Sequence, residues 1–355
     1  MSTYLVTGAA GFIGSALVRL LASGGAARVV SVDALTYAAD LERLRPAGAG
    51  SGHRFVQLDV NDQAAMLELL REEQPAAVIH LAAETHVDRS IDGPRQFVQA
   101  NTVGTFNLLE AVRHYWWDLP AAARRTFRMV NVSTDEVYGA LGPTGMFDEN
   151  SRYDPRSPYS ASKAGADHFA AAYFHTYGLP VITTHASNNY GPFQFPEKLV
   201  PLALSRALAG ESVPMYGDGM QVRDWLHVDD HARGLLAAAQ RGAPGATYLM
   251  GGAHELPNRV LLDQLLACLN EVAPGARDYR DLITSVADRP GHDRRYAVDS
   301  RRAEKELGWH REVAFADGLM ATVRWYVDNQ EWVRSVTERY DLGRLGLGGA
   351  AGAQS

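Results

Sequence analysis

The sequence predicts an α/β fold: a doubly wound parallel sheet with a smaller C-terminal domain laid over its ligand edge. Three observations lead there. Short apolar runs alternate with helical patterns through the first 187 of 355 residues, as right-handed βαβ units require. Those runs barely alternate between apolar and polar residues, so helices must cover both sheet faces. A glycine triplet, Gly8-Ala9-Ala10-Gly11-Phe12-Ile13-Gly14, stands between the first strand and the first helix. That is where Rossmann-type folds receive a dinucleotide.

Taken in order, YLVTG (4–8) is an apolar run ending in glycine, a strand entering a turn. SALVRLLAS (15–23) carries apolar residues at helical spacing. RVVSVD (28–33) and RFVQLDV (54–60) are the second and third strands. QAAMLELLREEQ (63–74) is a helix, AVIHLAA (77–83) the fourth strand and QFVQANTVGTFNLLEAVRHYW (96–116) a long helix. RMVNVST (128–134) is the fifth strand. SPYSASKAGADHFAAAYFHTYG (157–178) is another long helix, and PVITTHAS (180–187) follows it as a strand.

Beyond residue 188 the rhythm breaks into turns, prolines and short elements, with helices expected near 199–209, 229–240 and 259–272. The expected domains are therefore 1–187 and 188–340. PGATYLM (244–250) is a strand that could return to the main sheet, taking about 225–252 back into the first domain. The Gly- and Ala-rich tail 341–355 has little to bury and is expected to be disordered.

Composition narrows the class. The chain is 46% hydrophobic and 21% charged, near the globular average. A net charge of −7 argues against a nucleic-acid surface. The one cysteine, Cys268, sits in LLDQLLACLNEV as a core position of an amphipathic helix. No apolar run approaches the roughly 20 residues that span a bilayer, and the N-terminus has no signal-peptide pattern. A soluble, cytoplasmic protein is expected. The histidines show no metal-ligand spacing, so no metal is expected.

The glycines have distinct tasks: a tight turn, close approach of backbone to pyrophosphate, and close packing of helix on strand. The helix start adds free N–H groups and a positive dipole end. Asp33 ends the second strand 19 residues after Gly14. It should accept hydrogen bonds from the adenosine ribose. A carboxylate there repels a 2′-phosphate and no arginine follows directly, so NAD is favoured over NADP. Asp59 and Val60 are placed to meet the adenine, and Ala82 and Ala83 are small enough to let the cofactor pass.

Two further motifs carry chemistry. In Tyr159-Ser160-Ala161-Ser162-Lys163, the tyrosine and lysine share one helix face. A free phenol titrates near 10, too high for a base at neutral pH. A neighbouring ammonium and a positively charged nicotinamide would lower it. Ser133-Thr134-Asp135-Glu136-Val137-Tyr138-Gly139 ends the fifth strand with two adjacent carboxylates. Alternate strand residues face opposite ways, so both acids can enter one cleft only if the chain turns after Thr134.

With these residues in place, GxxGxxG and YxxxK identify the chain as a member of the extended short-chain dehydrogenase/reductases. Over residues 2–340 it resembles the dTDP-glucose 4,6-dehydratase family, through VTGAAGFIGS, VDALTYAA, HLAAETHVDRSI, STDEVYG, SPYSASKA, SNNYGP, FPEKLVPL, RDWLHVDDHA and ADRPGHDRRY among others. The resemblance implies a lyase with tightly bound NAD. Tyr159, with Lys163 and Thr134, would oxidise C4 of the sugar, Glu136 would remove the C5 proton, Asp135 would protonate the leaving C6 hydroxyl, and the hydride would return to C6. It implies further cofactor contacts at Phe12, Ile13, Leu35, Thr36, Leu81, Thr102 and Asn189. It places substrate contacts at His86 and Ser90, at Asn188, Glu197, Lys198 and Leu199, at Pro214, Met215 and Tyr216, and at Arg223, Asn258, Arg289 and His292. It also implies a homodimer formed by helices 96–115 and 157–177. Trp116 and Trp117 would cap the long helix at a subunit contact or fill a local core. Three alternatives remain open: a nucleotide-sugar 4-epimerase, which would lack the acid pair; a 4,6-dehydratase of another nucleotide sugar; and a non-catalytic NAD-binding module.

Overall fold

The structure, a computed structural model, describes residues 2–25, 27–47, 52–288 and 291–338. Arg289 and the tail 341–355 lie outside the described residues, as do residues 48–51 between the second and third strands.

Seven parallel strands form the main sheet. They include β1 (Ser2–Thr7), β2 (Ala27–Asp33), β3 (His53–Gln57), β4 (Ala77–His80), β5 (Arg128–Thr134) and β6 (Val181–Ala186). Three short strands follow in the chain: β7 (Asn188–Tyr190), β8 (Val213–Tyr216) and β9 (Val222–His227). The seventh strand of the sheet is β10 (Thr247–Met250), which pairs with β6 from Thr247 opposite Thr183 to Met250 opposite Ala186. The order is β10-β6-β5-β4-β1-β2-β3. Connections reverse direction between β1 and β4, and ligands bind at the carboxyl ends of strands beside such a switch.

Every residue of β4 and β6 is buried, His80, Thr183, Thr184 and His185 included. Helices Phe12–Ser23 and Val228–Arg241 cover one face, where Leu17, Val18, Leu21, Leu235 and Ala238 pack on Val6, Ile79 and Val130. Helices Gln63–Glu73, Gly104–Asp118 and Pro158–Tyr177 cover the other with Met66, Leu70, Leu108, Val112 and Tyr173.

A second core sits in the C-terminal half. Leu261, Leu262, Leu265, Leu266 and Leu269 of helix Asn258–Val272 meet Val200, Leu204 and Val323. Two small sheets frame it. β9 pairs with β7 and with β11 (Glu255–Pro257), and β8 pairs with β12 (Ile283–Val286).

The long helix expected at 96–116 is interrupted. An α-turn (Pro94–Phe97) leads into a π-helical turn (Val98–Val103) before the α-helix Gly104–Asp118. Apolar periodicity does not register one extra residue in a turn. The π turn presses Asn101, wholly buried, onto the backbone of Glu84 and the hydroxyl of Ser162. Trp116 packs at the edge of the core and donates its indole N–H to Arg124 O at 3.1 Å, while Trp117 is 60% exposed.

Candidate active site

One cleft of about 400 Å3 runs along the carboxyl ends of β1, β2, β4, β5 and β6. Its floor is the glycine turn. Gly8 has φ +66°, a backbone state that suits glycine. A Cβ on Gly14 would lie 2.1 Å from the Gly8 carbonyl oxygen, so helix and strand can approach this closely only with glycine there. Gly11 faces the cleft with Phe12 and Ile13 at the start of the helix. Asp33 accepts the backbone N–H groups of Ala10 at 2.9 Å and Leu35 at 2.8 Å. Burial pushes its carboxyl pKa up, opposed by those two bonds. The cradle therefore fits a dinucleotide: a dipole end for phosphates, a fixed carboxylate for ribose, and small Ala82 and Ala83 in the wall. Thr36, Asp59, Val60, Leu81 and Asn189 also line the cleft. Leu35 supports Asp33 from outside it. Thr102 lies off the cleft and donates to Ser162 O at 2.9 Å; Ala100, on the same π turn, faces the cleft instead.

The two acids of STDEVYG both line this cleft. β5 ends at Thr134, and a 3-10 turn, Asp135–Tyr138, begins at once. The Thr134 hydroxyl caps that turn by accepting Glu136 N–H at 3.3 Å. The turn breaks the strand's alternation, so neighbours in sequence share one side. Asp135 is 2% exposed, and its Oδ2 has no hydrogen-bond partner among the described residues. Burial, then Glu136, then Asp224 push its pKa well up. That direction favours its protonated form.

Tyr159 stands opposite, on a helix whose start is fixed by Pro158 and by reciprocal Ser157–Ser160 bonds of 3.0 Å. Its ring meets Phe97 edge-on at 6.3 Å. Burial and then Glu136 raise the phenol pKa, with a hydrogen bond to Thr134 opposing. The Lys163 ammonium is held at Val132 O, 2.8 Å away. Behind it, buried Asp167 accepts from Asn131 at 2.8 Å and Ser133 at 2.7 Å, and meets His185 at 3.0 Å.

The candidate substrate residues divide. Asn188, Glu197, Lys198 and Leu199 line the cleft with Thr134, Asp135 and Glu136. Lys198 donates to Thr85 O at 2.7 Å. Pro214, Met215, Tyr216, Arg223, Asn258 and His292 form a separate group around β8 and β9. Tyr216 joins it to the THVDRS segment through Asp88 at 3.1 Å. His86 caps helix Val87–Asp92 by accepting Arg89 N–H. Ser90 is wholly buried and donates to Val87 O, so it holds the loop's shape. Met215 packs in the second core, and Arg223 donates to Val222 O and Asp293 O while lying over the Tyr296 ring at 4.3 Å.

Sequence reasoning missed Arg43, Gln194 and His231, all buried on the cleft wall. His231 pairs through Nδ1 with Asn189 Oδ1 at 2.9 Å, and burial lowers its pKa to about 3, so it is neutral. It lies in RDWLHVDDHA, after the two aspartates. Among the described residues no group of His, Cys, Asp and Glu could hold a metal ion, and no helix is long and apolar enough to cross a membrane.

The family model described as GDP-mannose 4,6 dehydratase matches residues 5–322. A dTDP-glucose 4,6-dehydratase of Xanthomonas campestris is 51% identical over 349 residues, covering 98% of this chain and 99% of that protein. The chain belongs to the dTDP-glucose 4,6-dehydratase family. A solved dTDP-glucose 4,6-dehydratase of Streptomyces venezuelae, with NAD bound, superposes with a TM-score of 0.87 at 44% identity, covering 94% of this chain and all of that one. A UDP-glucose 4-epimerase of Thermus thermophilus, also with NAD, superposes at 0.80 but is 29% identical, covering 92% of this chain and 99% of that one. The 4,6-dehydratases share far more of the sequence than the epimerase does.

Proposed function

We propose that the chain converts dTDP-glucose to dTDP-4-keto-6-deoxyglucose and water, and that the acid pair Asp135–Glu136 facing Tyr159 across the cleft is what makes it a dehydratase. It is an NAD-dependent lyase. Gly8, Gly11 and Gly14 would hold the cofactor's diphosphate and Asp33 its ribose. NAD bound there supplies the oxidant at sugar C4 and returns the hydride at C6.

The chain's own residues handle protons. Tyr159 as phenolate takes the 4-hydroxyl proton, and Thr134 hydrogen-bonds the same oxygen. The ketone so formed acidifies C5–H, and Glu136 removes that proton. Asp135, kept protonated by burial, gives its proton to the C6 hydroxyl, which leaves as water. Glu136 then restores the proton at C5. The proton taken up by Tyr159 balances the one Asp135 gives. An epimerase needs the first oxidation but no elimination, and so has no use for this pair.

Asn188, Glu197, Lys198 and Leu199 are proposed to contact the sugar nucleotide in the cleft, and the group around β8 and β9 its nucleoside end. A homodimer is proposed through helices Gly104–Asp118 and Pro158–Tyr177. Phe106 (37% exposed), Phe169 (40%) and Tyr177 (44%) are exposed apolar side chains on those helices, which suits a contact between copies. The reaction is proposed to be cytoplasmic.

Incubation with dTDP-glucose and separately with UDP-glucose tests the function. Mass spectrometry should show loss of one water from the dTDP sugar. Turnover of UDP-glucose alone would move the chain to another substrate, and C4 inversion without water loss would make it an epimerase.

A further inference from the structure

The helical turn Leu41–Ala47 buries an arginine completely. The Nη1 of Arg43 donates to Ala10 O at 3.0 Å and Ala38 O at 2.6 Å, and its Nε to Phe193 O at 3.0 Å. The guanidinium lies 5.3 Å from the Trp332 ring centre. Its Nη2 has no hydrogen-bond partner among the described residues. A buried charged donor left unmatched is costly.

Position supplies the partner. Arg43 lines the cofactor cleft. Ala10, to which it is tied, immediately precedes Gly11 in the phosphate turn. The nearby carboxylates receive other donors: Asp33 takes the N–H groups of Ala10 and Leu35, and Asp40 takes Glu42 N–H and the Trp332 indole. Among the described residues on the cleft wall the other side-chain cations are Lys163, held at Val132 O, and Lys198, held at Thr85 O. Arg43 is the one beside the phosphate turn. Burial lowers its pKa to about 10, which leaves it charged at neutral pH.

We propose that Arg43 anchors the cofactor, with Nη2 donating to a diphosphate oxygen of the bound dinucleotide. The inference rests on the cleft being the NAD site. A 2′-phosphate is the wrong partner, because the Asp33 carboxylate would repel it. The guanidinium completes what the helix N-terminus begins: backbone N–H groups and a partial charge on one side of the diphosphate, a full charge on the other.

The test uses the full chain stripped of nucleotide and titrated with ADP and with adenosine. Arg43→Met should weaken ADP about tenfold or more, the loss of one charge-assisted hydrogen bond, with adenosine little changed. Arg43→Lys should lie between Arg43→Met and wild type for ADP. Equal losses for both probes would reduce Arg43 to a staple, and unchanged ADP binding would remove the contact; either overturns the proposal. If Arg43→Met does not fold, a crystal structure of the wild-type chain with ADP decides. Nη2 at about 3 Å from a phosphate oxygen supports the contact, and a clear gap between them refutes it. Wild-type protein that binds neither ADP nor NAD would instead overturn the cofactor reading itself.

Discussion

Lys163 and Tyr159 sit one turn apart on the same helix, yet the ammonium of Lys163 is bonded to the carbonyl of Val132 at 2.8 Å. The lysine is anchored to the strand that ends in Thr134. Burial lowers its pKa, and Asp167 behind it opposes that shift.

Burial and Glu136 raise the Tyr159 pKa, so deprotonation must be driven by the nearby cations. Sugar oxidation should therefore rise with pH, because the phenolate is the active form. Lys163→Met should move that rise up by about one unit or more. Tyr159→Phe should lower the oxidation rate by about 10²–10⁴ at every pH. Stopped-flow measurement of NADH absorbance reads both.

Asp135 has the opposite requirement, and its raised pKa meets it. Asp135→Asn should leave oxidation intact and slow elimination by about 10²–10⁴, so NADH accumulates. The stability effect has a defined sign. A carboxyl whose folded pKa lies above its unfolded value binds more protons when folded, so wild-type stability falls as pH rises above the unfolded value. The asparagine variant lacks that loss. Its thermal midpoint should exceed the wild type's at pH about 8 and match it near pH 3–4.

Gly14→Ala would put a methyl 2.1 Å from the Gly8 carbonyl oxygen. Backbone must move on one side or the other, at a cost of about 1–3 kcal/mol. Urea unfolding should show that loss, with NAD binding weakened because the phosphate turn is displaced. Wild-type affinity in this variant would count against the glycine turn as the phosphate site.

Phe106 and Phe169 meet at 5.6 Å between ring centres, their planes tilted by 60°, while each is more than a third exposed. Phe169→Glu should shift the protein toward monomer in analytical ultracentrifugation. Losing one buried aromatic from each side of a two-fold contact is worth about 1.5–3 kcal/mol apiece, more than a tenfold weakening. An unchanged sedimentation coefficient would exclude this pair from the contact.

Much of the first half was legible because strand, turn and helix each leave a local mark there. Apolar runs gave every main-sheet strand of that half, and three glycines with Asp33 gave the nucleotide cradle. STDEVYG showed the acid pair, the resemblance gave it a role, and the structure shows how both acids reach one cleft, through the short turn capped by Thr134. The π turn at Val98–Val103 left no such mark; Ala100 faces the cleft there, while Thr102, implied by the resemblance, bonds to Ser162 O. Arg43, Gln194 and His231 were invisible for another reason. Each reaches the cleft from a distant segment, and no spacing in the sequence records that meeting.

The pairing of β10 with β6 has a consequence for how the chain is made. Synthesis reaches residue 250 only after two thirds of the protein has emerged, and until then β6 is a bare sheet edge. Helix Val228–Arg241, which seals one side of that sheet, is equally late. A fragment ending near residue 187 would expose both an open edge and an uncovered apolar surface, features that promote aggregation. The first half is thus not a portable module: the last strand of its sheet is encoded downstream of residues 188–199, which line the same cleft.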